Sequence, residues 1–150
     1  MDITDSIAIS VSALDAQRRR LNVIASNMAN AQSTQSTDGR GPYRRRDVVF
    51  QTSPVTPKFK RALKQAGLGG AEQSLSGVRV SRVVEDQRPG KTVYDPKHPD
   101  ADSKGYVAMP NVNMMEEMVN MISASRAYEA NVQAISTAKT MWNRALDIGR

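Results

Sequence analysis

Residues 116–146 read EEMVNMISASRAYEANVQAISTAKTMWNRAL. This run has no glycine or proline and carries an apolar residue every three or four positions, the period of one helix face. Met114, Met121, Tyr128, Ile135 and Trp142 are each seven residues apart. Met118, Val132 and Leu146 fall on the companion seam, which Ser125 and Lys139 interrupt. The pattern is of a/d coiled-coil type. Asn113 suits an N-cap, with Glu116 three residues later and Glu117 beside it, and Gly149 suits a stop. A helix from about 114 to 147 is roughly 50 Å long. That exceeds a compact domain of this chain length, so part of the helix is expected to project or to pack on another chain.

The N-terminal end carries the same repeat. Ile7, Leu14, Leu21 and Met28 are seven apart, and Val11 and Ala25 share a companion seam with Arg18 between them. Asp5 or Ser6 would cap the start. The pattern fades after Ala31 into QSTQSTDGRGP, which reads as loop or disorder. Both helices are flanked by small polar residues such as Ser10, Ser26, Asn27, Asn30, Ser123, Asn131 and Ser136. Lightly charged flanks suit burial among other helices better than exposure to water.

Between the ends, YRRRDVVFQT and GVRVSRVVED alternate in the manner of half-buried strands, with Arg79 and Arg82 facing water. SKGYVAMPN gives a third, short strand. PKFKRALKQAGLGGAEQSLSG reads as a mobile loop, and RPGKTVYDPKHPDADSKG as an extended, turn-rich segment. The expected fold is α+β, mostly α, with long N- and C-terminal coiled-coil-type helices flanking a small β-rich middle insert. The expected divisions are an assembly helix and junction over 1–35, the β-rich middle over 36–110, and a second assembly helix over 111–150.

Composition removes several classes of function. The 150 residues include no cysteine, which excludes disulfides, thiolate metal sites and a cysteine nucleophile. No stretch reaches the roughly 18 apolar residues of a membrane span. Asp2 and Asp5 stand where a secretion signal carries Lys or Arg, so no cleaved signal peptide is expected. The formal charge of +6 is concentrated: Arg40 to Lys64 carries eight positive residues and one negative, whereas both ends sum to zero.

Candidate chemistry is thin. Asp95, His98, Asp100 and Asp102 cluster in YDPKHPDAD, but His98 is the sole histidine and the spacing fits no calcium loop. A turn rich in Asp is the simpler reading, and neither metal nor cofactor is expected. GLGG at 67–70 lacks the Lys-Ser/Thr of a phosphate loop. Glu116, Glu117 and Glu129 read as helix-surface carboxylates. No nucleophile–base pair is present, and no enzyme is expected. Arg40, Arg44, Arg45 and Arg46 around Tyr43 form a basic patch, but no nucleic-acid-binding signature accompanies it and nucleic acid is not expected as a partner.

LNVIASNMANAQST (21–34), with Asn27, Ala29, Asn30 and Thr34, resembles the N-terminal signature of the flagellar rod, hook and axial protein family. GYVAMPNVNMMEEMVNMISASRAYEANVQ (105–133) resembles that family's C-terminal partner. YDPKHPDAD, the ending MWNRALDIGR and the short length are most similar to the family's proximal rod subunits. The resemblance implies a non-enzymatic subunit of the bacterial flagellar basal body, polymerising through its terminal helices into the hollow drive shaft that passes torque from rotor to hook. It implies a periplasmic rod location, reached by the flagellar type III export apparatus. Implied partners are copies of itself, other rod subunits, and rotor, export-gate and adaptor proteins at the base. On this reading the interface comprises Ile7, Leu14, Leu21, Met28, Met114, Met118, Met121, Tyr128, Val132, Ile135, Trp142 and Leu146. Asn27, Asn30 and Asn131 are candidates for buried, register-fixing hydrogen bonds. The alternatives are another short rod protein of the same family, a basic nucleic-acid-binding coiled-coil protein, and a hydrolase using Asp95 or His98.

Overall fold

The computed structural model describes residues 3–36, 39, 41–54 and 76–148. In chain order the elements are α1 (Ile3–Ala29), β1 (Arg46–Pro54), β2 (Ser76–Glu85), β3 (Thr92–Tyr94), β4 (Tyr106–Ala108) and α2 (Met114–Ile148). This is the expected class: two long terminal helices around a small β-rich insert.

α2 runs unbroken for 35 residues. Its start is fixed by Asn113, whose Oδ1 accepts the Met115 N–H at 3.1 Å while its backbone carbonyl accepts that of Glu117 at 3.0 Å. Glu116 and Glu117 in the first turn meet the positive end of the helix dipole. α1 begins at Ile3, before the expected cap, so Asp5 lies inside the first turn, where a carboxylate is equally favoured. α1 stops at the Asn-x-x-Asn stretch. Asn30 donates from Nδ2 to the Ser26 carbonyl at 2.9 Å, and its Oδ1 accepts from Ser33 Oγ at 3.1 Å. Part of the expected loop is therefore ordered turn: Tyr43 N–H reaches back to the Ser33 carbonyl at 3.1 Å.

β1 and β2 form one two-stranded sheet, and β3 and β4 another. Arg46 pairs with Glu85, and Gln51 with Arg79. The partner numbers fall as the strand numbers rise, so β1 and β2 run antiparallel. The basic and Gly-rich stretch expected as a mobile loop lies outside the described residues. β3 and β4 pair antiparallel with Val93 opposite Val107. β3 falls in a segment read from sequence as turn-rich. Its three residues are too short to give a periodic signal, and Pro and Asp on either side dominate the reading. The turn between β3 and β4 requires Gly105. Its φ is +80°, and a Cβ there would lie 2.9 Å from the Tyr94 ring.

The chain divides into two compact units. One comprises Arg19–Val49 and Arg82–Ser125. Its buried residues among those described are Ile24, Asn27, Tyr43, Gly105, Val107, Pro110, Glu117 and Ala124. The other comprises Met1–Arg18, Phe50–Ser81 and Arg126–Arg150. There Ser10 and Ala16 are buried. Ser12 joins α1 to β2: its Oγ accepts the Val78 N–H at 3.1 Å and donates to the Ile9 carbonyl at 2.7 Å.

Candidate assembly interface

The first unit is tied together by a polar knot rather than an oily core. Asn27, near the C-terminal end of α1, uses its full hydrogen-bonding capacity. Its Nδ2 donates to the Arg46 carbonyl at 2.7 Å and to Glu117 Oε2 at 2.9 Å. Its Oδ1 accepts from Tyr43 Oη at 2.9 Å and from the Arg46 N–H at 2.9 Å. The amide thus grips the backbone at the start of β1 as a neighbouring strand would. Glu117 was expected on the helix surface, yet its side chain is fully buried. Its position one turn into α2 points it at Asn27, and Arg45 Nε meets its other oxygen at 2.8 Å. Burial acts to lower the Arg45 pKa, but the hydrogen bond and charge of Glu117 outweigh this and raise it above the ordinary value. Asn111 closes the knot, accepting the Arg45 N–H at 2.7 Å and donating to the carbonyls of Asp86 and Arg88.

A recess of about 200 Å³ beside the knot is lined by Arg20, Arg45 and Arg46 and by Asp47, Glu116 and Glu117. Its charges balance, so it selects no ion of either sign. The expected basic patch is largely committed internally. Arg44 donates to Gln87, Arg45 pairs with Glu117, and Arg46 pairs with Glu85 while lying over the Tyr43 ring. Arg40 and Lys58 to Lys64 lie outside the described residues. The Asp-rich loop is built from turns. Asp95 Oδ1 accepts the Lys97 N–H, and Asp102 Oδ1 accepts those of Lys104 and Tyr106. Asp100 accepts from Thr34 at 2.7 Å and from Gln35. Among the described residues no set of His, Asp and Glu converges on a metal position. No described helix is long and apolar enough to cross a membrane.

α2 has an unusual distribution of side chains. The face with the least solvent exposure carries Glu117, Ala124, Asn131 and Ala138 at seven-residue spacing, with Asn120 and Ala127 alongside. This series is small or polar, but Met121, Tyr128 and Ile135 are half-buried on the same side of the helix. Other large apolar side chains lie exposed: Met115 at 68 %, Val119 at 66 % and Ile122 at 55 % stand on the opposite side of the helix from Glu117. Farther along, Met141, Trp142 and Leu146 are exposed as well. Of the residues expected at the interface, Met114, Met118, Val132, Trp142 and Leu146 are exposed. Ile7, Leu14, Leu21, Met28, Met121, Tyr128 and Ile135 are half-buried. Asn30 and Asn131 are also half-buried, and each bonds a carbonyl one turn back in its own helix.

The heptad reading missed the Met115–Val119–Ile122 stripe, although its i, i+4, i+7 spacing was available as a signal. It also missed Tyr43, Arg45, Asn111 and Glu117. For Glu117 the clue was its place at the head of a seven-residue series that continues as Ala124 and Asn131.

Residues 7–35 match the family described as flagella basal body rod protein, and residues 103–148 match the flagellar basal body rod FlgEFG protein C-terminal family. The chain is 46% identical over 150 residues to the flagellar basal-body rod protein FlgC of Escherichia coli O6:H1, covering 100% of both chains. It is 44% identical over 156 residues to FlgC of Borreliella burgdorferi, covering 99% of this chain and 98% of that one. It is 41% identical over 148 residues to FlgC of Bacillus subtilis, covering 97% of each. Similarity of this extent, with both terminal motifs matched, shows that the chain belongs to the FlgC family of flagellar basal-body rod proteins and is a structural subunit of the rod, not an enzyme.

Proposed function

We propose that this rod subunit polymerises through the apolar faces of its terminal helices, and that successive copies and other rod subunits build the hollow shaft that carries torque from rotor to hook. The observation that carries this reading is the apolar surface that α2 leaves exposed at Met115, Val119, Ile122, Met141, Trp142 and Leu146. An exposed apolar surface of this kind is stabilised by burial against another chain. The expected seams, Ile7/Leu14/Leu21/Met28 and Met114/Met121/Tyr128/Ile135/Trp142 with Met118, Val132 and Leu146, are the proposed contacts, and Asn27, Asn30 and Asn131 hold register. Heterologous contacts between successive subunits generate an open helix, the symmetry a shaft requires.

In this reading the segments 1–35 and 111–150 serve assembly, and 36–110 faces other neighbours. The subunit leaves through the flagellar type III export apparatus without a cleaved signal and joins the periplasmic rod. There it meets copies of itself, other rod subunits, and rotor, export-gate and adaptor proteins. Electron microscopy of basal bodies from a clean deletion strain tests the proposal. Rod, hook and filament are expected to be missing and to return when the intact gene is supplied, but not when it carries Trp142→Asp. Complete basal bodies in the deletion strain would overturn it.

A further inference from the structure

We propose that Glu117, Asn27 and Arg45 act as a register pin that fixes which turn of α2 lies beside the C-terminal end of α1. The apolar repeats cannot set this register alone. Sliding α2 by seven residues puts Met121 where Met114 stood and Tyr128 where Met121 stood, so the principal seam still presents apolar side chains, and in this unit the companion seam changes only from the exposed Met118 to Ser125. Burial of apolar area does not depend on direction and discriminates weakly between such states. Few apolar side chains are buried in this unit to resist the slip: among the described residues they are Ile24, Tyr43, Val107, Pro110 and Ala124.

The polar knot does discriminate. A one-heptad slide brings Ala124 beside Asn27 in place of Glu117, which leaves an amide N–H without its acceptor. It also parts the carboxylate from Arg45, whose Nε lies 2.8 Å away in the aligned state. A buried polar group left without its partner is strongly unfavourable, and a single such group can specify helix register where apolar seams cannot. Every member of the pin lies within one compact unit, Arg19–Val49 with Arg82–Ser125. The pin is therefore a property of the isolated chain, and its test is independent of whether the chain builds a rod.

The chain has no cysteine, so two introduced thiols can carry spin labels without interference. Labels at Asn22→Cys and Met115→Cys, both exposed in this unit, report the α1–α2 distance by pulsed dipolar EPR on the purified full chain. The otherwise unmodified protein is expected to give one narrow distance. Arg45→Met strands the Glu117 charge, and a second population is expected from α2 shifted along its axis by about 10 Å, one heptad. Adding Glu117→Gln removes the charge while keeping an acceptor for Asn27, and is expected to restore the single distance. An ion pair with a merely structural role would lower the melting temperature and leave the distance below melting unchanged. A broad distribution in the unmodified protein would overturn the proposal. So would a single unchanged distance in folded Arg45→Met, or failure of the double variant to restore it. Should Arg45→Met not fold, Asn27→Ser is read in the same way, and an unchanged single distance there overturns the pin.

Discussion

Asn27 supports four hydrogen bonds with one amide, two of them to the backbone of Arg46. Its removal strands partners on three segments, whereas removal of any one partner leaves the amide mostly satisfied. Asn27→Ala is therefore expected to cost about 3 kcal/mol in chemical denaturation, and Tyr43→Phe about 1 kcal/mol, because Asn27 Oδ1 keeps the Arg46 N–H. Equal losses from the two would contradict the hydrogen-bond pattern. Two carboxylates make stability depend on acid. Arg88, through its side chain and backbone N–H, holds Asp86 down to about 2 from an ordinary 3.8. Hydrogen bonds from Thr34 and then Gln35 hold Asp100 below its ordinary value. Both groups are more acidic folded than unfolded, so they contribute fully above the ordinary value and the contribution is lost as pH falls through the folded values. Thermal melts of Asp86→Asn and Asp100→Asn should fall below the unmodified protein at pH 7 and converge with it near pH 2. A constant gap across that range would show that the carboxylates act through shape rather than charge.

At the scale of elements, the two sides of α2 respond to opposite changes. Ala124 has no exposed surface. Ala124→Leu has no room for its added atoms and is expected to destabilise the isolated chain by about 1–3 kcal/mol. Val119→Asp and Trp142→Asp sit on exposed positions and should change monomer stability by less than about 0.5 kcal/mol. On the proposed interface they should nonetheless abolish motility, since assembly would then bury an unpaired charge. Melting curves and swimming assays on the same variants separate the effects, and normal swimming in both Asp variants would remove these faces from the interface. The helices and β4 were legible in the sequence because their signals are periodic or bounded by clear turn residues. β3 was not, since three residues carry no period. The heptad seam located the helix and part of its inner side, since Met121, Tyr128 and Ile135 are half-buried, but Glu117, Ala124 and Asn131 lie among them and a search for apolar stripes passes over these. Glu117 was read as solvent-facing because carboxylates usually are. Its burial depends on Arg45 and Asn27, which lie far away in sequence and close only once the chain has folded.

At the scale of the whole molecule, the two units differ in what holds their helical segments. In the unit of Arg19–Val49 and Arg82–Ser125, α1 and α2 contribute to one hydrogen-bonded knot around a buried ion pair. In the other unit, α2 from Arg126 onward has its side chains exposed or half-buried along its described length, and Val132, Met141, Trp142 and Leu146 are among the exposed ones. Helices draw most of their stability from packing rather than from propensity. A segment with so little buried surface is therefore the first to open in an isolated subunit. Hydrogen exchange on the dilute chain is expected to show slow amides over 20–28 and 114–124, and amides over 132–147 exchanging at least tenfold faster. In isolated rods the second set should slow to match the first. Arg45→Met, which strands the buried Glu117 charge at a cost of about 3–5 kcal/mol, should erase the difference in the monomer by speeding the first set. Equal, slow exchange along all of α2 in the dilute monomer would mean that the helix is complete without its neighbours. In that case the exposed apolar face would act in docking alone, and docking would add no order to the helix.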